Sequence, residues 1–275
     1  MLCFPNAKIN IGLNIISKRN DGYHNIETVF LPVALYDILE FVPCPDKPSG
    51  FIELNITGIN IEGNNENNLI CKAYHLLHSD FSLPAITVHL HKIIPPGAGL
   101  GGGSSDGAFM LKHLNDYFHI GLQEEQLCHY ASVLGSDCAF FVKNHPLFAF
   151  ERGNLFREIN QLPRFQEIII VNPGIHISTA KAYAGIQPEG RSISLESLIT
   201  HPVDKWKDMI TNDFEKTILT EYPLIGEIKK VLYASGAIYA SMSGSGSSVY
   251  GLFMCKAPDL KSKFPDYFYW SGPPV

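Results

Sequence analysis

The sequence predicts an α+β protein in two domains, with mixed or antiparallel sheets covered by helices. Three observations carry that expectation. Several segments alternate apolar and polar residues with a period of two, as half-buried strands do. Between them lie stretches with apolar residues at helical spacing. Beyond about residue 150 the order of strands and helices recurs in looser form. At 275 residues, 45% hydrophobic and 17% charged, the chain has the composition of an ordinary globular protein.

The first strand is read at Lys8–Ile15, where Ile9, Ile11, Leu13 and Ile15 share one face and Lys8, Asn10, Gly12 and Asn14 share the other. The pattern places the lysine on a wet face. "FIELNIT" and "AITVHLH" alternate in the same way, and sheets with one wet face are usually antiparallel or mixed. Leu69, Ile70, Ala73, Leu76 and Leu77 predict a helix behind an Asn-rich cap. Ala108, Leu111, Leu114 and Phe118 predict a second, and Leu127, Tyr130, Ala131 and Leu134 a third that stops at Gly135. Further on come a strand "EIIIVNP", a short helix from Ser178, a polar stretch "QPEGRSIS", helices near 194–200 and 222–234, and the strands "AIYASMS" and "SSVYGLFM". The residues from Lys261 onward read as irregular.

Charge and cysteine usage exclude several classes. With 21 Lys+Arg against 27 Asp+Glu, the net charge of −6 supplies no basic field for nucleic acid or an anionic membrane. Cys3, Cys44, Cys71, Cys128, Cys138 and Cys255 show no C-x-x-C pair and no zinc-finger spacing, so reduced, mostly buried thiols are expected. The opening "MLCFPNAKINIGLNII" is interrupted by Asn6, Lys8, Asn10 and Asn14 and lacks the apolar core of a signal peptide, and no stretch approaches membrane-spanning length; a cytoplasmic protein is expected. His75 with His78, and His89 with His91, lack a completing acid or cysteine and read as exposed side chains rather than metal ligands.

Chemistry concentrates in "PPGAGLGGGSSDGA". Gly97, Gly99 and Gly102 satisfy G-x-G-x-x-G, with Asp116 near the distance a dinucleotide fold requires. A dinucleotide loop, however, follows a fully buried parallel strand, whereas this one follows an alternating strand with Thr87, His89 and His91 and then Pro95 and Pro96. No Gly-Lys-Ser/Thr closes a Walker loop. What remains is a glycine stretch opening a helix through Ser104, Ser105 and Asp106, where unpaired amides and the positive helix end favour phosphate. The plain alternative is a flexible surface turn. "SMSGSGSSVYG", residues 241–251, reads as a tight glycine hairpin facing a ligand, or as a simple hairpin.

The segments "PNAKINIGLNI", "DGYHNIETVF", "IPPGAGLGGGSSDGA", "LGSDCAFFV", "NPGIHISTAKAY" and "SMSGSGSSVYG" together resemble the galactokinase, homoserine kinase, mevalonate kinase and phosphomevalonate kinase superfamily. Within it they look like the branch that phosphorylates the 2-hydroxyl of 4-diphosphocytidyl-2-C-methyl-D-erythritol in the non-mevalonate isoprenoid route. The resemblance spans nearly the whole chain. It implies a two-domain small-molecule kinase fold, with an ATP-binding domain over residues 1–155 and a ferredoxin-like substrate-side domain over 156–275.

It further implies ATP as phosphoryl donor, bound by Pro95, Pro96, Gly97, Ala98, Gly99, Leu100, Gly101, Gly102, Gly103, Ser104, Ser105 and Asp106. Mg²⁺ accompanies ATP, with Ser104 or Ser105 as a candidate ligand. Asp137 is implied as the base and Lys8 as the cation that lowers its pKa and takes up phosphoryl charge. Without the resemblance, each reads as a solvated side chain. Tyr23 and Tyr183 are implied to sandwich the cytosine, His24 and Asn10 to hydrogen-bond it, and Phe30 to close the pocket; both tyrosines also fit as core aromatics. The chain departs from the branch at "FERGN", where Glu151 and Asn154 replace a glycine and an acid, at Gly107 in place of alanine, and at Tyr183 in place of phenylalanine. Rival readings are a mevalonate- or homoserine-like kinase, a non-catalytic ATP-binding module and a dinucleotide-dependent oxidoreductase. Either a monomer or a homodimer is compatible.

Overall fold

The computed structural model describes residues 1–61, 64–159, 161–186, 188, 191 and 193–275. Its strands run, in chain order, β1 (Leu2–Cys3), β2 (Asn6–Lys18), β3 (His24–Tyr36), β4 (Ile38–Pro43), β5 (Ile52–Gly58) and β6 (Ile86–Lys92), then β7 (Leu147–Phe150), β8 (Leu155–Glu158), β9 (Glu167–Asn172), β10 (Tyr239–Met242), β11 (Val249–Phe253) and β12 (Phe268–Gly272). The helices are α1 (Leu69–Phe81), α2 (Gly102–Tyr117), α3 (Glu124–Leu134), α4 (Cys138–Lys143), α5 (Thr179–Ala184), α6 (Leu195–Leu198), α7 (Trp206–Met209), α8 (Glu215–Glu221) and α9 (Pro223–Ala234). They gather into two compact units, each drawn from several stretches of chain. One comprises Met1–Ala7, Leu35–Pro96 and Gly101–Asn144; the other comprises Lys8–Ala34, Gly97–Leu100 and His145–Val275.

The first unit is built on a sheet of order β1-β4-β6-β5. β4 runs antiparallel to β6, and β5 parallel to it with Leu54 opposite Val88, so the sheet is mixed, as the alternation predicts. Ile86, Val88 and Leu90 of β6 are fully buried while His89 is exposed. Asn68 caps α1 by accepting from the Ile70 amide, and the helix packs against α2 through a face that buries Ile70, Ala73, Tyr74 and Leu77. Cys3 and Cys138 are buried free thiols, and burial is the main cause that pushes each up to about 12, so neither is a nucleophile at neutral pH.

The inward register of β6 ends on a charge. Lys92 follows Ile86, Val88 and Leu90 onto the covered face and is 2% exposed. Its ammonium lies 2.5 Å from Asp37 Oδ2 and 2.7 Å from Asp106 Oδ2, two carboxylates that are themselves buried. Asp37 also accepts from the Ile93 and Ile94 amides at 2.6 and 2.8 Å. Asp106 has no such support, its Oδ1 having no hydrogen-bond partner. Burial above all, with the Asp37 charge adding and Lys92 opposing, pushes the Asp106 carboxyl well above its ordinary value. The imbalance is intelligible: one ammonium cannot neutralise two buried carboxylates, and Asp106 lacks the two backbone amides that donate to Asp37.

The second unit holds two four-stranded sheets. In the sheet of order β2-β3-β7-β8, β3 runs antiparallel to β7 with Val29 opposite Phe148. β2 is not half wet as its alternation predicts: Lys8, Asn10 and Asn14 are 3%, 2% and 1% exposed, because the polar face is covered too. The sheet of order β10-β11-β9-β12 is antiparallel throughout. Renumbered within this segment, that order is the ferredoxin-like 2-3-1-4, with the second crossover shortened to the 3-10 turn Lys261–Lys263. β12 corrects the expectation of an irregular end: Phe268–Gly272 pairs with β9 along its whole length, Trp270 opposite Ile170. Ile169 and Val171 of β9 pack with Ile218 of α8 and Ile225, Ile228 and Leu232 of α9 in one core. Of the "QPEGRSIS" stretch, Gln187, Glu189, Gly190 and Ser192 lie outside the described residues. No helix among the described residues is long and apolar enough to cross a membrane.

A linkage prediction follows from Asp106. Native Asp106 binds its proton more tightly than the unfolded chain does, so stability is lost as pH rises from about 4 toward about 7. The Tm of the wild type minus that of Asp106→Asn, measured calorimetrically across that window, therefore falls as pH rises. A difference that grows with pH contradicts the assignment.

Candidate active site

The glycine loop is a place where backbone must touch backbone. At Gly99, φ is +78°, and a Cβ would stand 2.0 Å from the Ser243 carbonyl oxygen. Only glycine satisfies both constraints. At Gly102 a Cβ would meet Ile94 Cγ2 at 2.9 Å and Lys92 Nζ at 3.0 Å, so the first residue of α2 lies directly on the end of β6. Gly101 precedes the helix at φ +70° and no side chain caps it. The first-turn amides are therefore donors without side-chain partners, at the positive end of a sixteen-residue helix. Ser105 Oγ is buried with no protein partner, and the Ser104 hydroxyl contacts the Cys138 thiol.

Within the second unit, β2, the loop and the 241–251 hairpin converge on Lys8. The Lys8 ammonium donates to Asn10 Oδ1 at 2.6 Å and to the Gly99 carbonyl at 3.2 Å, and lies 4.9 Å above the centre of the Phe30 ring. The Ser243 hydroxyl donates to the same Gly99 carbonyl at 2.8 Å and accepts from the Asn10 amide at 3.2 Å. Asn10 Nδ2 donates to Thr28 Oγ1, whose hydroxyl donates to the Gly12 carbonyl, and the Tyr250 hydroxyl donates to the Asn10 carbonyl. A buried ammonium needs such partners, since desolvation without them costs several kcal/mol or shifts the group to neutrality. The structure thus brings Lys8, Asn10, Phe30 and Gly99 together. Both side-chain groups of Asn10 are engaged inside the protein, and Phe30 is 2% exposed beneath the lysine.

Tyr183 stands on α5, whose N-cap Ser178 accepts from the Lys181 amide. Its ring stacks on His24, centroids 4.7 Å apart and planes 15° from parallel, and meets Phe214 edge-on at 4.9 Å. Tyr23 is 53% exposed, with the Arg152 guanidinium 4.0 Å above its ring. Burial first, and the Lys18 charge second, hold the His24 imidazole below its ordinary pKa. An imidazole kept uncharged has one donor and one acceptor nitrogen.

In the first unit, Gly135 ends α3 with extended backbone and Asp137 occupies the cap position of α4. Asp137 is half-buried, and its carboxylate makes no cap hydrogen bond to α4. His89 and His91 both share the Thr57 hydroxyl, at 2.9 and 3.0 Å. Among the described residues no group of three or more His, Cys, Asp or Glu could hold a metal ion.

Sequence reasoning passed over Thr28, Tyr250, Asp37 and Lys92. For Lys92 a signal existed, because it continues the inward alternation of Ile86, Val88 and Leu90, where a lysine demands buried partners. For Thr28 and Tyr250 none did, since their roles come from cross-strand neighbours distant in sequence.

Comparison with known proteins shows the family. Family models match at residues 68–146, described as GHMP kinases N terminal domain, and at 194–268, GHMP kinases C terminal. A protein of Bacteroides thetaiotaomicron named 4-diphosphocytidyl-2-C-methyl-D-erythritol kinase is 53% identical over 92% of this chain and 92% of its own length. A crystal structure of 4-(cytidine 5'-diphospho)-2C-methyl-D-erythritol kinase superposes with a TM-score of 0.83 at 28% identity, covering 100% of this chain and 99% of the other. The Methanococcus jannaschii mevalonate kinase shares the fold alone, with a TM-score of 0.71 at 15% identity over 100% and 98% of the two chains. The chain belongs to the GHMP kinases and, within them, to the family of the 4-diphosphocytidyl-2-C-methyl-D-erythritol kinases.

Proposed function

We propose that the protein transfers the γ-phosphoryl group of ATP to the 2-hydroxyl of 4-diphosphocytidyl-2-C-methyl-D-erythritol, a step of isoprenoid precursor synthesis carried out in the cytoplasm. The observation that carries the reading is the buried Lys8 ammonium held against the carbonyl of the loop residue Gly99. The family membership narrows the substrate to the cytidyl alcohol.

An aliphatic hydroxyl is a weak nucleophile, and phosphoryl transfer is governed by positioning and charge. Asp137 is assigned as the base that accepts the hydroxyl proton while the alcohol oxygen bonds to the γ-phosphorus and the bond to the bridging oxygen of ADP breaks. Lys8 is assigned the charge that develops on the transferring oxygens, its direction fixed by Asn10 and Gly99. The uncapped amides opening α2 receive nucleotide phosphate, and the exposed glycines let it approach the backbone. Mg²⁺ bound to ATP supplies charge neutralisation; the site offers serine oxygens rather than a carboxylate cage, which suits an ion held mainly by phosphate and water. Tyr183, Tyr23 and His24 are assigned to the cytosine, by stacking and by edge hydrogen bonds.

Asp137→Asn is expected to lower kcat by about 10³-fold, the middle of the general-base range, while the Kd for ATP changes little. ADP release in a coupled assay, set beside calorimetric binding, checks this; retained turnover removes Asp137 from the role. Tyr183→Ala is expected to raise KM for the cytidyl alcohol about tenfold, the loss of one base–aromatic stack, with KM for ATP nearly unchanged. Equal effects on both substrates contradict the stacking role.

A further inference from the structure

Asp37 and Lys92 lie outside the residues that bind or react with substrate in the reading above, and Asp106, expected from the sequence among the ATP-binding residues, accepts from Lys92, so the group occupies a particular place in the chain. The glycine loop has two stems. One is the end of β6 and its continuation, residues 92–94; the other is the first turns of α2, residues 102–106. Asp37 grips the incoming stem through the Ile93 and Ile94 amides, and its own amide is held by the Pro5 carbonyl at 2.9 Å. Lys92 carries that grip across to the outgoing stem by donating to Asp106. The contact is close along its length, since the Gly102 Cα faces Lys92 Nζ with room for no side chain.

Two further observations separate this group from ordinary structural glue. A buried carboxylate–ammonium–carboxylate set is a poor source of stability, because desolvation offsets most of the attraction. And the outgoing stem carries two buried polar atoms with no partner, Asp106 Oδ1 and Ser105 Oγ, which a segment arranged for stability alone does not leave unsatisfied. Such costs are tolerated where geometry matters to function. A loop so rich in glycine has little stiffness of its own, so the direction of its amides depends on how its stems are fixed.

We propose that Asp37, Lys92 and Asp106 form a clamp at the base of the glycine loop, in which Lys92 and Asp37 are positioning residues that set the first-turn amides of α2 for nucleotide phosphate. This rests on the loop being the nucleotide site. Lys92 touches no substrate; it acts through Asp106 and Gly102.

The test is a neutral replacement of the whole group, Asp37→Asn, Lys92→Met and Asp106→Asn together, which leaves no uncompensated buried charge. Calorimetric titration with the non-hydrolysable analogue AMPPNP is expected to give a Kd raised about tenfold or more, as misdirected amides cost affinity, with a Tm within a few degrees of wild type. A folded triple variant whose AMPPNP affinity stays within about twofold of wild type overturns the clamp and leaves a structural role. Should the triple variant not fold, the single variant Asp106→Asn, which keeps the Asp37–Lys92 pair, decides: an AMPPNP Kd raised about threefold or more supports the clamp, and a smaller change overturns it. Wild-type protein that binds AMPPNP but does not phosphorylate the cytidyl alcohol refutes the kinase reading and leaves the clamp to be judged by the variants; wild type that binds no AMPPNP refutes both.

Discussion

The carbonyl of Gly99 accepts from both the Lys8 ammonium and the Ser243 hydroxyl, and much of the second unit is arranged around that point. A lysine 3% exposed is tolerable only with fixed oxygen acceptors, and here they come from strand β2 itself, from the loop and, through Ser243, from the hairpin before β11. A side chain at position 99 would collide with the Ser243 carbonyl, and the hairpin could no longer approach. The absence of a side chain in the loop is therefore what allows the cation to be buried with its charge directed.

The two buried lysines are handled by different means. Lys8 donates to the neutral dipoles of Asn10 and Gly99 and lies over the Phe30 ring. Lys92 sits between the side chains of Asp37 and Asp106, which tie it into a link between β6 and α2. One arrangement suits electrostatics, the other geometry.

The aromatic cluster shows how far a family likeness reaches. Stacking of His24 on Tyr183 gives the His24 ring a defined plane, burial lowers its proton affinity, and Tyr183 meets the edge of Phe214. Replacement of the usual phenylalanine by Tyr183 keeps the flat face on which that arrangement depends. Fold likeness to mevalonate kinase at 15% identity carries none of this, because backbone topology does not specify which rings stack.

The sequence by itself determined the strands and helices whose periodicity is local: β6 with its alternating burial, α1 with its Asn68 cap, α3 closed by Gly135 and β9 with its apolar run. It also determined the glycine loop ahead of α2 and, through six ordered segments, the family, since those residues are dictated by backbone conformation and chemistry close to them. Tertiary structure decided the rest. β12 forms because β9 offers it an edge, which no local pattern announces. The polar face of β2 is dry because distant segments cover it, so alternation there marks a buried network rather than a solvent boundary. Asp37, Lys92 and Asp106 meet across 55 and 14 residues of chain, and the energy of a buried charge depends on neighbours in space, not on neighbours in sequence.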